Sequence, residues 1–371
     1  MSDNIPLFEI PWNVKDLKNV IDSIGRGSYW AKGPYIEQFE TKVADYLGVE
    51  HAIAVNSGTS ALMAALKGVG IAEGDEVIVP SFTQQATVNA VAMVGGTPVF
   101  ADIERDTYGL DPDDVEDRIT GDTEAILPVD VYGSVCKMEQ LGELADKNGL
   151  YLVEDAAEAL GAKRDGRLAA TFGDVAALSF CHNKIIPTGE GGMVVTNNDD
   201  IADAASLYRS HGREPGNYFG GHKSGRHTAI GGNFRMPDIV AALGCSQMDR
   251  IEELIAGRRA AAERMNEAFN SIDGVDPHTF RGRHVYQFYT VTFDESVDRD
   301  YVINVLSEHG VFSKVYWDPV VHESEIYQQR NGSQTLPVTE DVSKRVLSLP
   351  IHPELSIEET ERIVSAVKES I

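Results

Sequence analysis

The chain has 371 residues, 42% of them hydrophobic, and a formal net charge of −26 from 58 acidic and 32 basic residues. So acidic a chain repels polyanions, which disfavours nucleic acids and anionic membranes as partners, and no apolar run of about 18 residues predicts a membrane span. The length exceeds that at which one hydrophobic core stops growing, so we expect two domains.

The cysteines and the amino terminus indicate a protein of the reducing cytoplasm. Cys136, Cys181 and Cys245 are odd in number and widely spaced, and the ten histidines show no ligand spacing, so neither disulfides nor a metal site is predicted. The first residues lack the basic and apolar regions of a secretion signal. Because the acidic excess is dispersed, we also expect a halophilic protein whose self-repulsion is screened by salt. An ordinary acidic cytosolic enzyme is the alternative.

Short β-type runs alternate with helical runs as far as residue 196. The predicted strands are Ile53–Asn56, Glu76–Pro80, Thr97–Asp102, Ala125–Val129, Leu150–Glu154, Ala176–Phe180 and Met193–Thr196, with helices at Ser60–Gly68, Thr87–Val94 and Met138–Asn148. Such alternation predicts a mostly parallel sheet with helices on both faces.

A long helical run, Asp238–Asn270, then changes the pattern. It is followed by a predicted strand, Tyr286–Phe293, and by helices at Asp300–His309 and Ile357–Glu369. We therefore predict a large α/β domain over residues 1–250 and a smaller α+β domain over residues 251–371.

Three strand ends carry polar residues where ligands bind in open α/β sheets. The first is Asn56-Ser57-Gly58-Thr59-Ser60, between a strand and a helix. Its small residues allow a ligand to approach closely, and the free N–H groups of a helix N-terminus bind anions. A plain N-cap is the alternative. The segment is not a Walker loop, because it lacks the Gly-Lys-Ser/Thr ending.

The other two strand ends carry a carboxylate and an amine. Glu154-Asp155 follows a buried apolar strand, where acids are costly unless paired or functional. A carboxylate here can hold a protonated ring nitrogen or simply cap the next helix. Lys184 follows the strand that ends near Ser179, and Gly189-Glu190-Gly191-Gly192 comes next. A partly desolvated lysine attacks carbonyl groups, and a surface lysine in a glycine-rich loop is the alternative.

Together the strand ends supply an anion cradle, a partner for a ring nitrogen and an amine. Pyridoxal 5'-phosphate (PLP) needs all three, for its phosphate, its pyridinium nitrogen and its aldehyde. The combination at three strand ends predicts a PLP site, which none of them indicates alone.

The motifs resemble those of the DegT/DnrJ/EryC1/StrS sugar aminotransferases, within the fold-type I, aspartate aminotransferase-like PLP enzymes. The likeness runs through Gly33-Pro34, Ser57–Leu62, Gly74–Pro80, Pro98–Phe100, Val153–Ala157, Ser179–Gly192 and Asn233–Met236. The segments 154–159, 183–192 and 282–285 are most similar to the perosamine synthase-like branch. The resemblance implies a large, mixed, mostly parallel sheet domain followed by a smaller α+β domain.

The resemblance also implies roles for single residues. Lys184 would carry PLP as a Schiff base and then act as general acid and base, and Asp155 would keep the ring nitrogen protonated. Glu158 would lie near the phenolic oxygen of the cofactor, where many relatives have Gln or His.

The phosphate would be held by Ser57, Gly58, Thr59 and Ser179. Asn233 would reach the phosphate of the neighbouring subunit's cofactor, which makes a homodimer with shared active sites necessary.

Two positions depart from the family pattern. The aromatic residue usually stacked on the ring is replaced by Gln84, so either its amide packs on the ring or Phe82 substitutes. Asp130 stands where relatives often carry His.

The implied reaction transfers an amino group from glutamate to a nucleotide-linked keto sugar, of the 4-keto-6-deoxyhexose type, in a ping-pong sequence. His284, Tyr316 and His322 are the expected substrate contacts. The alternatives are a dehydratase of the same family, in which histidine replaces the lysine, and a PLP-binding paralogue with a regulatory role. Lys184 argues against the dehydratase, and the presence of Lys184, Asp155 and the glycine-rich loop argues against the paralogue.

Overall fold

The computed structural model describes residues 4–214, 225–278 and 280–371. Its strands are β1 (His51–Val55), β2 (Glu76–Pro80), β3 (Thr97–Ala101), β4 (Thr123–Ile126), β5 (Tyr151–Asp155), β6 (Lys163–Arg164), β7 (Arg167–Leu168), β8 (Val175–Ser179), β9 (Gly192–Thr196), β10 (Val275–Asp276), β11 (Tyr289–Phe293) and β12 (Val346–Leu349). Seven of them form the main sheet, in the order β1-β9-β8-β5-β4-β2-β3. The seven strands predicted before residue 200 are all present, within a few residues of their expected ends.

The main sheet is mostly parallel, as predicted. Strands β3, β2, β4, β5 and β8 pair in parallel, whereas β9 is antiparallel to both β8 and β1. Strand β1 therefore runs in the same direction as β8. As a result, the chain leaves β1, β2, β5 and β8 at one edge of the sheet, where the ligand site of an open α/β fold lies.

The helices are α1 (Val14–Gly25), α2 (Pro34–Leu47), α3 (Gly58–Gly68), α4 (Gln85–Val94), α5 (Pro112–Arg118), α6 (Met138–Asn148), α7 (Asp199–Tyr208), α8 (Asp238–Met248), α9 (Ile251–Phe269), α10 (Arg299–Glu308), α11 (Glu325–Asn331), α12 (Pro337–Arg345) and α13 (Ile357–Glu369). The predicted run 238–270 is thus two helices, interrupted at residues 249–250. Within the described part of the chain, no helix has the length and apolar character needed to cross a bilayer.

A second, antiparallel sheet has the order β10-β11-β12. Its middle strand starts three residues later than predicted. The positive φ of 51° at Tyr286 is incompatible with an extended strand and excludes that residue. Helix α9 begins just after the predicted domain boundary at residue 250 and contributes to two cores. Ile251 and Leu254 pack against the main sheet, whereas Met265 and Phe269 pack with the second sheet. The division of the chain into two domains stays a prediction.

Candidate active site

A cavity of about 450 Å³ opens at the edge where β1, β2, β5 and β8 end. Nine of the predicted site residues line it: Ser57, Gly58, Thr59, Gln84, Asp155, Glu158, Ser179, Lys184 and Tyr316. The three strand ends singled out in the sequence thus meet in one cavity.

The first wall is the N-terminus of α3, which forms an anion cradle. The Ser57 side chain caps the helix by accepting from the Ser60 backbone N–H at 3.1 Å. The first N–H groups of a helix have no intrahelical partner, so those after the cap are free for a ligand. A Cβ on Gly58 would lie 2.8 Å from the Cβ of Ser179, and one on Gly192 would overlap the Ser57 carbonyl. Glycine at both positions therefore lets α3, β8 and the glycine-rich loop close around the cradle.

Asp155 ends β5 and is held by two hydrogen bonds. Thr87 Oγ1 donates to one carboxylate oxygen at 2.8 Å, and the Ala157 backbone N–H donates to the other at 3.1 Å. Burial raises the pKa of Asp155 to about 6, although both hydrogen bonds and the nearby Lys184 act in the opposite direction. A buried carboxylate with so high a pKa is suited to a cationic partner such as a protonated ring nitrogen.

Glu154, which directly precedes Asp155 in the chain, faces the other side of the sheet because side chains alternate along a strand. Its carboxylate accepts from the backbone N–H groups of Ala170, Phe172 and Gly173 and is wholly buried. Asp130 is equally buried and accepts from the Cys136 backbone N–H at 3.0 Å. Desolvation raises the pKa of both carboxyls, and for Asp130 the adjacent Glu154 charge raises it further. Of the two acids that end β5, only Asp155 lines the cavity.

Lys184 reaches into the cavity from the loop after β8. The backbone N–H of Lys184 bonds the Cys181 carbonyl at 2.9 Å, which forms a tight turn. Its Nζ lies 3.3 Å from Glu158 Oε1, and the two side chains are only 13% and 7% exposed. The other Glu158 oxygen accepts from the Tyr132 backbone N–H at 2.9 Å, so the carboxylate that pairs with the lysine is itself fixed.

The structure distinguishes the two candidates for the stacking position. Gln84 is exposed toward the cavity at the N-terminus of α4. Phe82 is wholly buried and packs edge-on against Tyr132 and Trp317, so it is not available to a ligand.

An aromatic wall faces these residues from the C-terminal part of the chain. The Tyr316 ring stacks on Phe288 at 4.2 Å, and Trp317 stacks on Tyr132 at 5.6 Å. The Tyr132 hydroxyl donates to the Tyr316 carbonyl. Burial raises the pKa of Tyr316 to about 12, so the phenol is neutral and can donate a hydrogen bond.

The structure does not bring three predicted residues into the cavity. His284 is buried between Phe280 and Tyr286, with Nδ1 accepting from the Tyr286 backbone N–H at 2.8 Å, and burial lowers its pKa to about 3. His322 is also buried, with Nδ1 2.7 Å from the Ser81 hydroxyl. Neither histidine lines the cavity of this chain, and their role as substrate contacts stays a prediction. Asn233 is exposed and outside the cavity of its own chain.

Sequence reasoning missed several lining residues. Thr87 supports Asp155, Phe8 and Leu7 come from the amino-terminal segment, and Lys314 comes from the segment before β12. Among these residues, only Thr87 has a position that the sequence indicates, because it lies on the first turn of α4, the helix that follows β2.

Elsewhere, Glu50, His51 and Asp199 each bring a possible metal-ligand atom within 4.8 Å of the others. His51 Nε2 lies 2.7 Å from Asp199 Oδ1, and the Asp199 side chain is 85% exposed. A hydrogen bond at the surface between His51 and Asp199 explains this group, which the spacing of histidines along the chain did not reveal.

The residues of the cavity fit PLP. A glycine-containing helix N-terminus suits its phosphate, the buried Asp155 carboxylate suits its pyridinium nitrogen, and Lys184 suits its aldehyde. Together with the mostly parallel sheet, this site defines a fold-type I PLP enzyme.

Comparison with known proteins gives the family. The sequence profile of the DegT/DnrJ/EryC1/StrS aminotransferase family matches residues 13–368. GDP-perosamine synthase of Caulobacter vibrioides is 39% identical over 344 residues, which cover 90% of each chain. The chain therefore belongs to the DegT/DnrJ/EryC1/StrS aminotransferase family, and it is a PLP-dependent sugar aminotransferase.

Solved structures agree with this assignment. Helicobacter pylori PseC, an aminotransferase involved in the biosynthesis of pseudoaminic acid, matches with a TM-score of 0.93 at 28% identity over 99% of both chains. NtdA of Bacillus subtilis with bound PMP, the aminated form of the cofactor, matches with a TM-score of 0.89 at 27% identity. That match covers 100% of this chain and 86% of NtdA.

Proposed function

We propose that the protein transfers the amino group of glutamate to a nucleotide-linked 4-keto-6-deoxyhexose in a ping-pong sequence. The observation that carries the proposal is the convergence of the α3 cradle, Asp155 and Lys184 in one cavity. The similarity to GDP-perosamine synthases supports a nucleotide sugar as the acceptor.

Each of these residues has a distinct task. PLP, when bound, supplies an aldehyde that takes up amino groups and a ring that stabilises the electron pair left when a C–H bond breaks. Asp155 holds the proton on the ring nitrogen. With the cofactor bound, Lys184 Nζ would take the proton from the α-carbon of the donor as a general base and would deliver it to the carbon of the cofactor's former aldehyde as a general acid. Ser57, Gly58, Thr59 and Ser179 hold the phosphate.

Glu158 orients Lys184. Its carboxylate is fixed by the Tyr132 N–H and lies 3.3 Å from the lysine Nζ, so it keeps the amine directed into the cavity. Gln84 provides the polar face that lies against the ring, where other family members use an aromatic side chain.

The donor half-reaction tests the transaminase assignment. Purified holoenzyme mixed with glutamate and no sugar should release 2-oxoglutarate stoichiometrically and lose the visible absorbance of the lysine-bound cofactor. The Lys184→Ala variant should do neither, and Lys344→Ala, which changes an exposed lysine on α12, should behave like the wild type. If a panel of amino donors leaves the wild-type spectrum unchanged, a PLP-binding protein without transaminase activity becomes the better account.

The acceptor half-reaction tests the substrate. After the donor has been removed, nucleotide-linked 4-keto-6-deoxyhexoses should restore the original spectrum and yield the amino sugar. Restoration by 3-keto sugars alone would contradict the proposed position of the keto group.

Mixing two inactive variants tests the shared active site. We expect Asn233 to complete the phosphate site of a partner subunit, so Lys184→Ala and Asn233→Ala should complement each other after subunit exchange. One site of the hybrid dimer then carries both changes, and the other site carries neither. If Asn233 acts within its own chain, each site keeps one defect and the mixture stays as inactive as its components.

A further inference from the structure

Lys314 is a cation of the cavity that the transfer chemistry leaves unused. Two lysines line the cavity, Lys184 and Lys314, and no arginine is among the described residues of its wall. Lys184 is engaged in the reaction itself and pairs with Glu158. Lys314 is therefore the ammonium group of the cavity that is left to bind an anionic substrate.

The backbone of Lys314 is held in place. Its N–H donates to the Ser348 carbonyl at 3.0 Å, and its own carbonyl accepts from the Ser348 N–H at 2.9 Å, which pairs the residue with β12. Its Nζ lies 5.1 Å from the centre of the Tyr316 ring, and that ring stacks on Phe288. A cation–π contact of this kind directs the ammonium group along the aromatic wall.

Lys314 also lacks a carboxylate partner. In a chain with 58 acidic and 32 basic residues, the described segments place no Asp or Glu oxygen within 4.0 Å of its Nζ. By contrast, Lys15 and Lys42 both pair with Asp249. An unpaired ammonium group on the wall of an active-site cavity is available to an anion from solution.

We propose that Lys314 binds the diphosphate of the nucleotide-linked acceptor, an inference that rests on the proposed function. Three anionic groups reach this cavity: the α- and γ-carboxylates of glutamate and the acceptor's diphosphate, which carries the largest charge of the three. The α-carboxylate of an amino donor is attached to the carbon that carries the reacting nitrogen, so it must lie deep beside Lys184, whose side chain is 13% exposed. Lys314 lines the same cavity, but its side chain is exposed to solvent. The diphosphate is remote from the keto carbon, so it lies at the mouth when that carbon is at Lys184.

The test compares Lys314→Gln with Lys314→Arg and with Lys344→Gln, an equal change of charge on α12 outside the cavity. In Lys314→Gln the KM for the keto sugar should rise about ten- to a hundredfold, the range for losing one hydrogen bond to a charged group. The kcat and the apparent affinity for glutamate should stay within about twofold. Lys314→Arg should have a KM close to that of the wild type, because it keeps the positive charge, and Lys344→Gln should match the wild type.

Binding without turnover separates this inference from the proposed function. GDP and inorganic pyrophosphate, titrated calorimetrically into the holoenzyme at fixed ionic strength, should bind about tenfold or more weakly to Lys314→Gln than to Lys344→Gln. Equal binding to both variants would overturn the role of Lys314. A loss confined to glutamate affinity would overturn it as well and assign Lys314 to the donor. Failure of the wild type to release 2-oxoglutarate would instead refute the proposed function, whatever the diphosphate titration gives.

Discussion

Replacing Asp155 by Asn should stabilise the cofactor-free protein at neutral pH, although it damages the active site. Burial raises the pKa of Asp155 to about 6 from 3.8, so between these pH values the folded protein binds more protons than the unfolded chain. The free energy of unfolding therefore falls as the pH rises through this window. Above pH 6 the charged carboxylate carries its full desolvation cost, which the amide of Asn does not have.

The pKa shift sets the size of the effect. A rise of about 2 units corresponds to about 3 kcal/mol at pH 7, at about 1.4 kcal/mol per unit. At pH 5, where the carboxyl in the folded protein is mostly protonated, the difference falls to about half of that value. With an unfolding entropy of about 2.1 cal/mol/K per residue, 3 kcal/mol raises the Tm of a chain of this length by about 4 °C.

The hydrogen bonds of Asp155 can survive the substitution. The carbonyl oxygen of Asn accepts from the Ala157 N–H, and its amide donates to Thr87 Oγ1. That hydroxyl then turns its proton to Thr83 Oγ1, which lies 2.9 Å away. Asp146→Asn, on the exposed face of α6, removes the same formal charge and serves as the control for overall repulsion.

Differential scanning calorimetry of the apoproteins at pH 7 and pH 5 measures the stability difference. Equilibrium dialysis with PLP measures the cost to function, and Asp155→Asn should retain the cofactor less well than the wild type. An Asn variant less stable than the wild type at pH 7, or a gain that does not shrink at pH 5, would refute the reasoning. A gain equalled by Asp146→Asn would assign the effect to net charge instead.

Three further predictions concern the cradle, the solvent and the core. Gly58→Val should lower the affinity for PLP in equilibrium dialysis, because a Cβ there lies 2.8 Å from that of Ser179; unchanged affinity would contradict the cradle. The Tm should rise from dilute buffer to 1 M KCl, where screening at about 3 Å suppresses the repulsion of a charge of −26, and a flat or falling Tm would argue against adaptation to salt. Phe39→Ala should cost about 3–5 kcal/mol in urea unfolding, because the wholly buried ring packs on Phe180 at 4.8 Å, and a cost below about 1 kcal/mol would contradict this packing.

The sequence by itself determined the main sheet and the chemistry at its edge. Parallel strands buried on both faces appear in a sequence as continuous apolar runs, so Glu76–Pro80 was predicted at its observed limits. The helix Met138–Asn148 was predicted from its amphipathic pattern, in which apolar residues recur with the period of a helix. Strand direction then follows from the alternation of strands and helices, which is why the sequence alone assigns three distant strand ends to one site.

Helices α1 and α2 carry local signals for their ends in the sequence. Helix α2 starts with Pro34 directly after Gly33 and ends before Gly48, whose φ is 72°. This is the usual arrangement of proline at the first turn and glycine after the last. Helix α1 likewise begins after Asn13, whose side chain caps it together with Asp16. Both helices were therefore predictable from the sequence, although neither was predicted.

Only the tertiary structure decided which polar residues face the cavity. Glu154 and Asp155 are adjacent in the chain, yet the alternation of the strand sends one into a buried hydrogen-bond network and the other into the site. In the sequence, His284 and His322 are possible substrate contacts, but in the structure both side chains are buried. Lys314 gave no local signal, because its place on the cavity wall depends on its pairing with β12, more than thirty residues further along the chain. Local propensity and period are encoded within a few residues, whereas a shared cavity is set by contacts between segments that are distant in sequence.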